Sequence, residues 1–320
     1  MAETREQIME RLLKGSKTNL VSGTDDSLKF ERIPFGVPSL DKMCGGGVPT
    51  KRMTLLTGQT NGGKTFLAMM LAKQVIESGG LVGWADSEMT WDEEWARRNG
   101  VDPNFVMVEQ AGTGEESLNA VKYLLESGDV DLVVLDSVAG LVPEAVDNEE
   151  FGYNPISWQA RFFNSSLPKL IKRMRHGAAF VVINQVRSSM GPVALTQMPG
   201  GMGQQFFNHM MLEVHRRGWI EEGDKKVGFE MEVRLRKSKV KAEAWEKVKV
   251  PFRVDGGIDI MEVYIKEMID AGLIKKSAAW YAIEGVEKKA QGINGVKEVF
   301  LADEVLYNKL VSNLEGEYGG

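Results

Sequence analysis

The pattern of apolar and polar positions changes character twice along the chain. In residues 3–14, Ile8 pairs with Leu12 and Met9 with Leu13 at i, i+4, and Gly15 follows. This predicts a short amphipathic helix. A helix of that length is marginal in water and needs a surface, its own chain's or a neighbour's. Residues 15–29, GSKTNLVSGTDDSLK, are small and polar, as in a linker. From about residue 52 the chain alternates between short apolar runs and helical periods. MTLLTG, LVGWADSE, VDLVVLDS and AAFVVINQ read as strands. KTFLAMMLAKQVIES, SLNAVKYLLESG and SLPKLIKRMRHG read as helices between them, the last capped by Gly177. Continuous apolar strands separated by helices predict an α/β fold with a mostly parallel sheet covered on both faces. Beyond residue 210, MMLEVHRR, FEMEVRLRKS and KVPFRV are strand-like with no helix between them, which predicts an antiparallel extension. From residue 259, IDIMEVYIKEMIDAGLI predicts a helix, followed by a small C-terminal lobe. The expected division is 1–29, an N-terminal helix and linker; 30–258, the core; and 259–320, the small C-terminal domain.

One site motif stands out in this pattern. Gly58-Gln59-Thr60-Asn61-Gly62-Gly63-Lys64-Thr65 matches G-x-x-x-x-G-K-[ST], with a strand before it and a helix starting at the lysine. Glycines there let backbone N–H groups face a phosphate, and the helix N-terminus adds partial positive charge. Lys64 is placed to reach the β and γ phosphates of ATP, and the Thr65 hydroxyl to hold Mg²⁺. Two acids follow at strand ends, where ligands gather in open α/β sheets. Asp136 closes VDLVVLD and is the second candidate for Mg²⁺. Glu88 closes LVGWADSE and is a candidate base for an attacking water, with Asp86 as its competitor. Gln185 ends the strand AAFVVINQ, where a neutral amide could sense the γ-phosphate or orient water. The motif lacks the G-x-G-x-x-G of a dinucleotide binder.

Composition adds limits. No run approaches the eighteen or so apolar residues of a membrane helix, and the charged N-terminus has no apolar signal region. The single cysteine, Cys44, rules out an internal disulfide and suits a reducing cytoplasmic setting. The net charge of −6 argues against bulk attraction to nucleic acid, although phosphate contacts need only a local basic stripe.

Several segments together resemble the RecA family of recombinases: FGVPSLDKMCGGGVP, GQTNGGKT, DSEMTWDEEWARRNGVD, LVVLDSVAGLVP, VVINQVR and a later GG-x-x-x-x-FF, in the family's order. The resemblance runs from about residue 30 to 285, and DGGID and GLIKKSAAWY are similar to phage-encoded relatives. It implies a P-loop RecA-like core and the following roles. Lys64 and Thr65 bind phosphate and Mg²⁺, Glu88 is the catalytic glutamate, Asp136 is the second metal-binding acid, and Gln185 links the γ-phosphate to a DNA loop. Asp92 and Trp95 fall where the family contacts adenine. Lys237 and Lys239 match a lysine pair that reaches the ATP of the adjacent subunit.

The resemblance also makes residues 186–203 and roughly 147–160 DNA-binding loops. Arg187 and Arg161 are then phosphate contacts, Met190 and Ile156 are apolar wedges between bases, and Gly200 and Gly201 allow close backbone approach. The implied function is a DNA-dependent ATPase that polymerises on single-stranded DNA and pairs it with a homologous duplex, with no membrane role. A helicase motor of the same fold and a non-hydrolysing mediator are the rival readings. The chain departs from the family at its short C-terminal end, EGEYGG, and at Val254, where the family places a tyrosine.

Overall fold

A computed structural model describes residues 3–110, 112–148, 158–174, 177–188, 196–197, 203–239, 246–254 and 256–318. The chain forms two compact units, Met1–Glu31 and Arg32–Gly320.

In the first unit a helix spans Arg5–Gly15. Thr4 and Gln7 form a reciprocal capping box that satisfies two N-terminal donors. None of its residues is buried, and Ile8, Met9 and Leu12 are exposed. With Leu13 and Leu20 they line an apolar groove of about 780 Å³.

The second unit is built on a nine-stranded sheet among the described residues. Its strands are β1 (Met53–Gly58), β2 (Val82–Asp86), β3 (Val106–Glu109), β4 (Leu132–Asp136), β5 (Ala179–Gln185), β6 (Met210–Glu222), β7 (Lys225–Ser238), β8 (Lys247–Arg253) and β9 (Gly257–Ile258). Across the sheet the order is β9-β8-β7-β6-β1-β5-β4-β2-β3. From β6 to β3 every neighbouring pair is parallel, and from β6 to β9 every pair is antiparallel. This is the expected α/β class.

The main helices are α1 (Lys64–Glu77), α2 (Gly114–Ser127), α3 (Trp158–Ile171), α4 (Gly203–Phe207) and α5 (Ile260–Asp270). Strand alternation sends Val181 and Ile183 of β5 to one face, packed with α1, and Phe180 and Val182 to the other, packed with α2 and α3. Both faces are therefore dry, which is why the central strands read as continuous apolar runs.

Four details differ from the sequence reading. Strand β6 pairs in parallel with β1 (Met210 opposite Thr54), so the antiparallel extension starts one strand later, at β7. Strand β3 is not singled out by the sequence pattern: it is a short edge strand with Met107 and Val108 exposed, so no buried run marks it. Strand β2 ends at Asp86, which leaves Glu88 in the turn beyond it. Helix α3 ends at Ile171, where Arg173 N–H bonds back three residues to Leu170 and tightens the chain out of the α-helix, so Gly177 is not its cap.

The C-terminal lobe is α5, a three-stranded antiparallel sheet (Ile274–Ser277, Trp280–Ile283 and Ala290–Gln291) and helices Gly292–Ala302 and Glu304–Tyr318. Ile265, Met268, Tyr281, Phe300 and Leu314 form its own core. Glu267 of α5 accepts Ser39 N–H at 3.2 Å, tying this lobe to the larger core.

Candidate functional site

The P-loop leaves β1 and enters α1 in the residues predicted for it. An added Cβ at Gly58 would lie 2.1 Å from the Val214 carbonyl, so only glycine fits where β1 closes against β6. Gly63 has φ +100 and hands the chain to α1. Lys64 is buried, and its ammonium donates to Gly58 O (3.1 Å) and Gln59 O (2.8 Å), folding back over its own loop. Burial pushes its pKa down, while Asp136 and Glu88 oppose the shift.

A cleft of about 410 Å³ opens over this loop. The P-loop residues Thr60–Thr65 line it, with Glu88, Trp95, Asp136 and Gln185. Thr65 Oγ1 donates to Asp136 Oδ2 at 2.8 Å. Asp136 is pushed up to about 7, chiefly by burial and further by Glu88 and Asp86, against the Thr65 hydrogen bond and Lys64. Asp136 and Glu88 thus face one lysine, and Asp86 adds its charge beside Asp136. That donor set fits a hard divalent cation, held by the hydroxyl and carboxylate of Thr65 and Asp136. Among the described residues no cluster of three or more acids, histidines or cysteines could enclose a metal. A cation here would complete its shell with phosphate oxygens and water, as Mg²⁺ commonly does.

The two competing acids separate clearly. Asp86 is buried and accepts from Trp91 N–H (2.7 Å), the Gln110 amide (2.9 Å) and Thr90 Oγ1 (3.3 Å). It fastens the turn that follows β2. Glu88 lies in that turn, exposed and facing the cleft. Its Oε1 accepts two donors, Gln185 Nε2 at 2.9 Å and the hydroxyl of buried Ser137. Thr60 Oγ1 in turn donates to Gln185 Oε1 at 3.3 Å. A continuous chain therefore runs from the P-loop through Gln185 to Glu88. Ser137 was missed by sequence reasoning: only its place after Asp136 could have flagged it.

Trp95 lines the cleft, but Asp92 does not. The Asp92 carboxylate instead caps the helix Glu93–Arg98, accepting Trp95 N–H at 2.7 Å. The far wall carries Phe229 of β7 and Phe252 of β8, with ring centroids 4.8 Å apart, and Phe66 of α1 stands edge-on to Phe252 at 4.6 Å. Phe229 and Phe252 come from strands that the sequence pattern identified without assigning them to the site. Val254 is exposed.

Lys237 and Lys239 do not line this cleft. Both reach the C-terminal end of α4: Lys237 donates to Gln205 O, and Lys239 to Phe206 O at 3.0 Å. Burial lowers the Lys237 pKa, and Lys239 lowers it further. Beneath them His209 is pushed down to about 4 by burial, then by Arg52, Lys239 and Lys237. The unfolded imidazole takes up a proton below its ordinary 6.5, whereas the folded one resists until about 4. Stability present above the unfolded value is therefore lost as pH falls through this window. His209→Gln should flatten that acid limb by about 1 kcal/mol between pH 7 and 5, after discounting for partial exposure. Urea unfolding at the two pH values measures this, and an unchanged acid slope would refute it.

Of the residues assigned to DNA, Arg161 is exposed on α3. Arg187 sits in a two-residue antiparallel ladder opposite Gln197. Ile156, Met190, Gly200 and Gly201 lie outside the described residues. No helix among the described residues is long and apolar enough to cross a membrane.

Comparison with known proteins agrees with this geometry. A family model described as the RecA N-terminal domain matches residues 1–259. Protein RecA of Chlorobaculum tepidum is 33% identical over 292 residues, covering 89% of this chain and 84% of that protein. Protein RecA of Thermus aquaticus is 32% identical over 308 residues, covering 91% and 90%. Protein RecA of Acholeplasma laidlawii is 32% identical over 308 residues, covering 95% and 92%. With a family model over residues 1–259 and relatives about a third identical over most of its length, the chain belongs to the RecA family.

Proposed function

We propose that the chain is a DNA-dependent ATPase that forms filaments on single-stranded DNA and promotes its pairing and exchange with a homologous duplex. One observation carries the reading: Gln185 joins Thr60 of the P-loop to Glu88, at the end of the strand that leads into residues 186–203. A side chain so placed links the hydrolytic site to the segment that the family resemblance assigns to DNA.

The chemistry follows from the same atoms. The backbone of Gly58–Gly63 cradles the phosphates, Lys64 leaves its loop carbonyls for the β and γ oxygens, and Thr65 and Asp136 hold Mg²⁺. When bound, the cation offsets charge on the transferring phosphoryl group. Glu88 takes the proton of the attacking water. Its two donors, Ser137 and Gln185, hold the carboxylate in place. Trp95 and the Phe229–Phe252 wall offer aromatic surface to the base. Lys237 and Lys239, which do not line this cleft, serve that of an adjacent subunit. The exposed apolar face of Arg5–Gly15 packs on a neighbouring core.

Steady-state ATP hydrolysis with and without single-stranded DNA tests the reading, with Lys64→Ala as control. Stimulation of about tenfold or more by DNA, absent in the control, is expected. Hydrolysis indifferent to DNA would remove the recombinase reading. Nucleotide binding without turnover would leave a mediator.

A further inference from the structure

Adjacent residues of a strand face opposite sides of the sheet. At the end of β5 this places Gln185 toward the nucleotide cleft and Asn184 toward α3 and α4. Asn184 and Gln204 are both fully buried, and Asn184 Nδ2 donates to Gln204 Oε1 at 2.9 Å. Gln204 belongs to α4, the five-residue helix Gly203–Phe207. The same short element is held at two further points. Asn164 of α3 lies against Gly203 so closely that an added Cβ would be 2.3 Å from its Oδ1. Lys237 and Lys239 donate to the carbonyls of Gln205 and Phe206.

The ground beneath α4 is polar and incompletely paired. Among the described residues, neither amide atom of fully buried Asn208 has a hydrogen-bond partner, nor do Asn164 Oδ1 and His209 Nδ1. Buried polar groups are nearly always paired, so these atoms fix α4 less firmly than a fully paired seat would. A well-paired apolar seat would hold α4 in one position. Here the Asn184–Gln204 bond acts together with Asn164 at Gly203 and the two lysines, and among these it alone comes from β5.

We propose that Gln204 is a positioning residue: its buried hydrogen bond to Asn184 makes α4 follow the nucleotide-reading end of β5. A change at Gln185 in one cleft then shifts Gly203 and the carbonyls that hold Lys237 and Lys239. The state of a subunit's own nucleotide thereby governs whether those two lysines are held on α4 or released outward. This rests on the reading above, in which the lysines act on a neighbour's nucleotide and DNA stimulates hydrolysis.

Two measurements test it. In the unaltered chain without DNA, adding a non-hydrolysable ATP analogue should change amide hydrogen exchange of residues 203–207. Unchanged exchange there, with analogue bound, overturns the proposal. The second measurement compares Gln204→Leu with the swapped pair Asn184→Gln/Gln204→Asn, which keeps the length of the bridge. Gln204→Leu should lose about tenfold of the stimulation by single-stranded DNA, at unchanged KM for ATP and unchanged DNA-free rate. The swapped pair should recover it. Retained stimulation in folded Gln204→Leu overturns the proposal, as does a loss in which KM and the DNA-free rate fall together. If Gln204→Leu does not fold, the exchange measurement decides. A parent chain that DNA does not stimulate would defeat the functional reading, and exchange at 203–207 would still report on the link from nucleotide to α4.

Discussion

Glu88→Gln should lower the rate of ATP hydrolysis by about 10³-fold, within the range that a positioned general base contributes, while nucleotide binding persists. The substitution is sharp because glutamine keeps the acceptor that the site uses. Its Oε1 can still receive the Ser137 hydroxyl and the Gln185 amide, so the turn and the P-loop–Gln185 connection remain. What is lost is the negative charge and basicity needed to take a proton from water. Asp86 cannot substitute, because it is buried and saturated by Trp91, Thr90 and Gln110. Single-turnover hydrolysis beside equilibrium binding of a fluorescent ATP analogue separates the two quantities. A drop of less than about tenfold would mean that another group activates the water. An equal loss of binding would mean that Glu88 supports the loop and does not perform the chemistry.

Trp84→Ala should cost about 4 kcal/mol of stability, a large part of the 5–15 kcal/mol that domains typically possess. Trp84 is 1% exposed, in the middle of β2, and stands edge-on to Trp91 at 5.4 Å. Its removal leaves a cavity beneath the strand that ends at Asp86, and Asp86 fastens the turn carrying Glu88. The same change should therefore depress hydrolysis in molecules that are still folded. Chemical denaturation at constant m value gives the stability term, and a loss under about 1 kcal/mol would show that the core collapses into the space. Trp84→Phe, which keeps a ring facing Trp91, should lose less than half as much.

The candidate nucleotide site was legible for local reasons. Phosphate binding by a P-loop uses backbone N–H groups on consecutive residues, so its requirement is written in one short stretch, Gly58–Thr65. Asp136 and Gln185 were legible because each ends a buried apolar run, and the end of such a run in a parallel sheet is where ligands collect. Glu88 was ambiguous with Asp86. Both lie near the end of the same apolar run, and only the donors around them show that one is tied down and the other faces the cleft. Asp92 was placed at the adenine by resemblance, yet its carboxylate is committed to the first turn of Glu93–Arg98. Capping is a local interaction that competes for the same oxygen.

Other features had no local signature. Strand β6 reads as one more edge strand, but it pairs in parallel with β1, a choice made by the path of the chain after β5. Phe229 and Phe252 carry no motif, and they meet at the cleft because antiparallel register sets them opposite each other. The pairing of Asn184 with Gln204, and of Ser137 with Glu88, joins residues that neither periodicity nor spacing connects.

The sequence by itself determined the α/β class, the P-loop with its lysine and threonine, and the strand ends where acids and an amide would stand. These depend on spacing along the chain, with periods of two and 3.6 residues and loops of a few residues. Only the tertiary structure decided which acid is available, which rings wall the cleft, and what sits behind Gln185 on the other face of the sheet. Those outcomes depend on distances between segments tens of residues apart, and hydrogen bonds form or fail over fractions of an ångström.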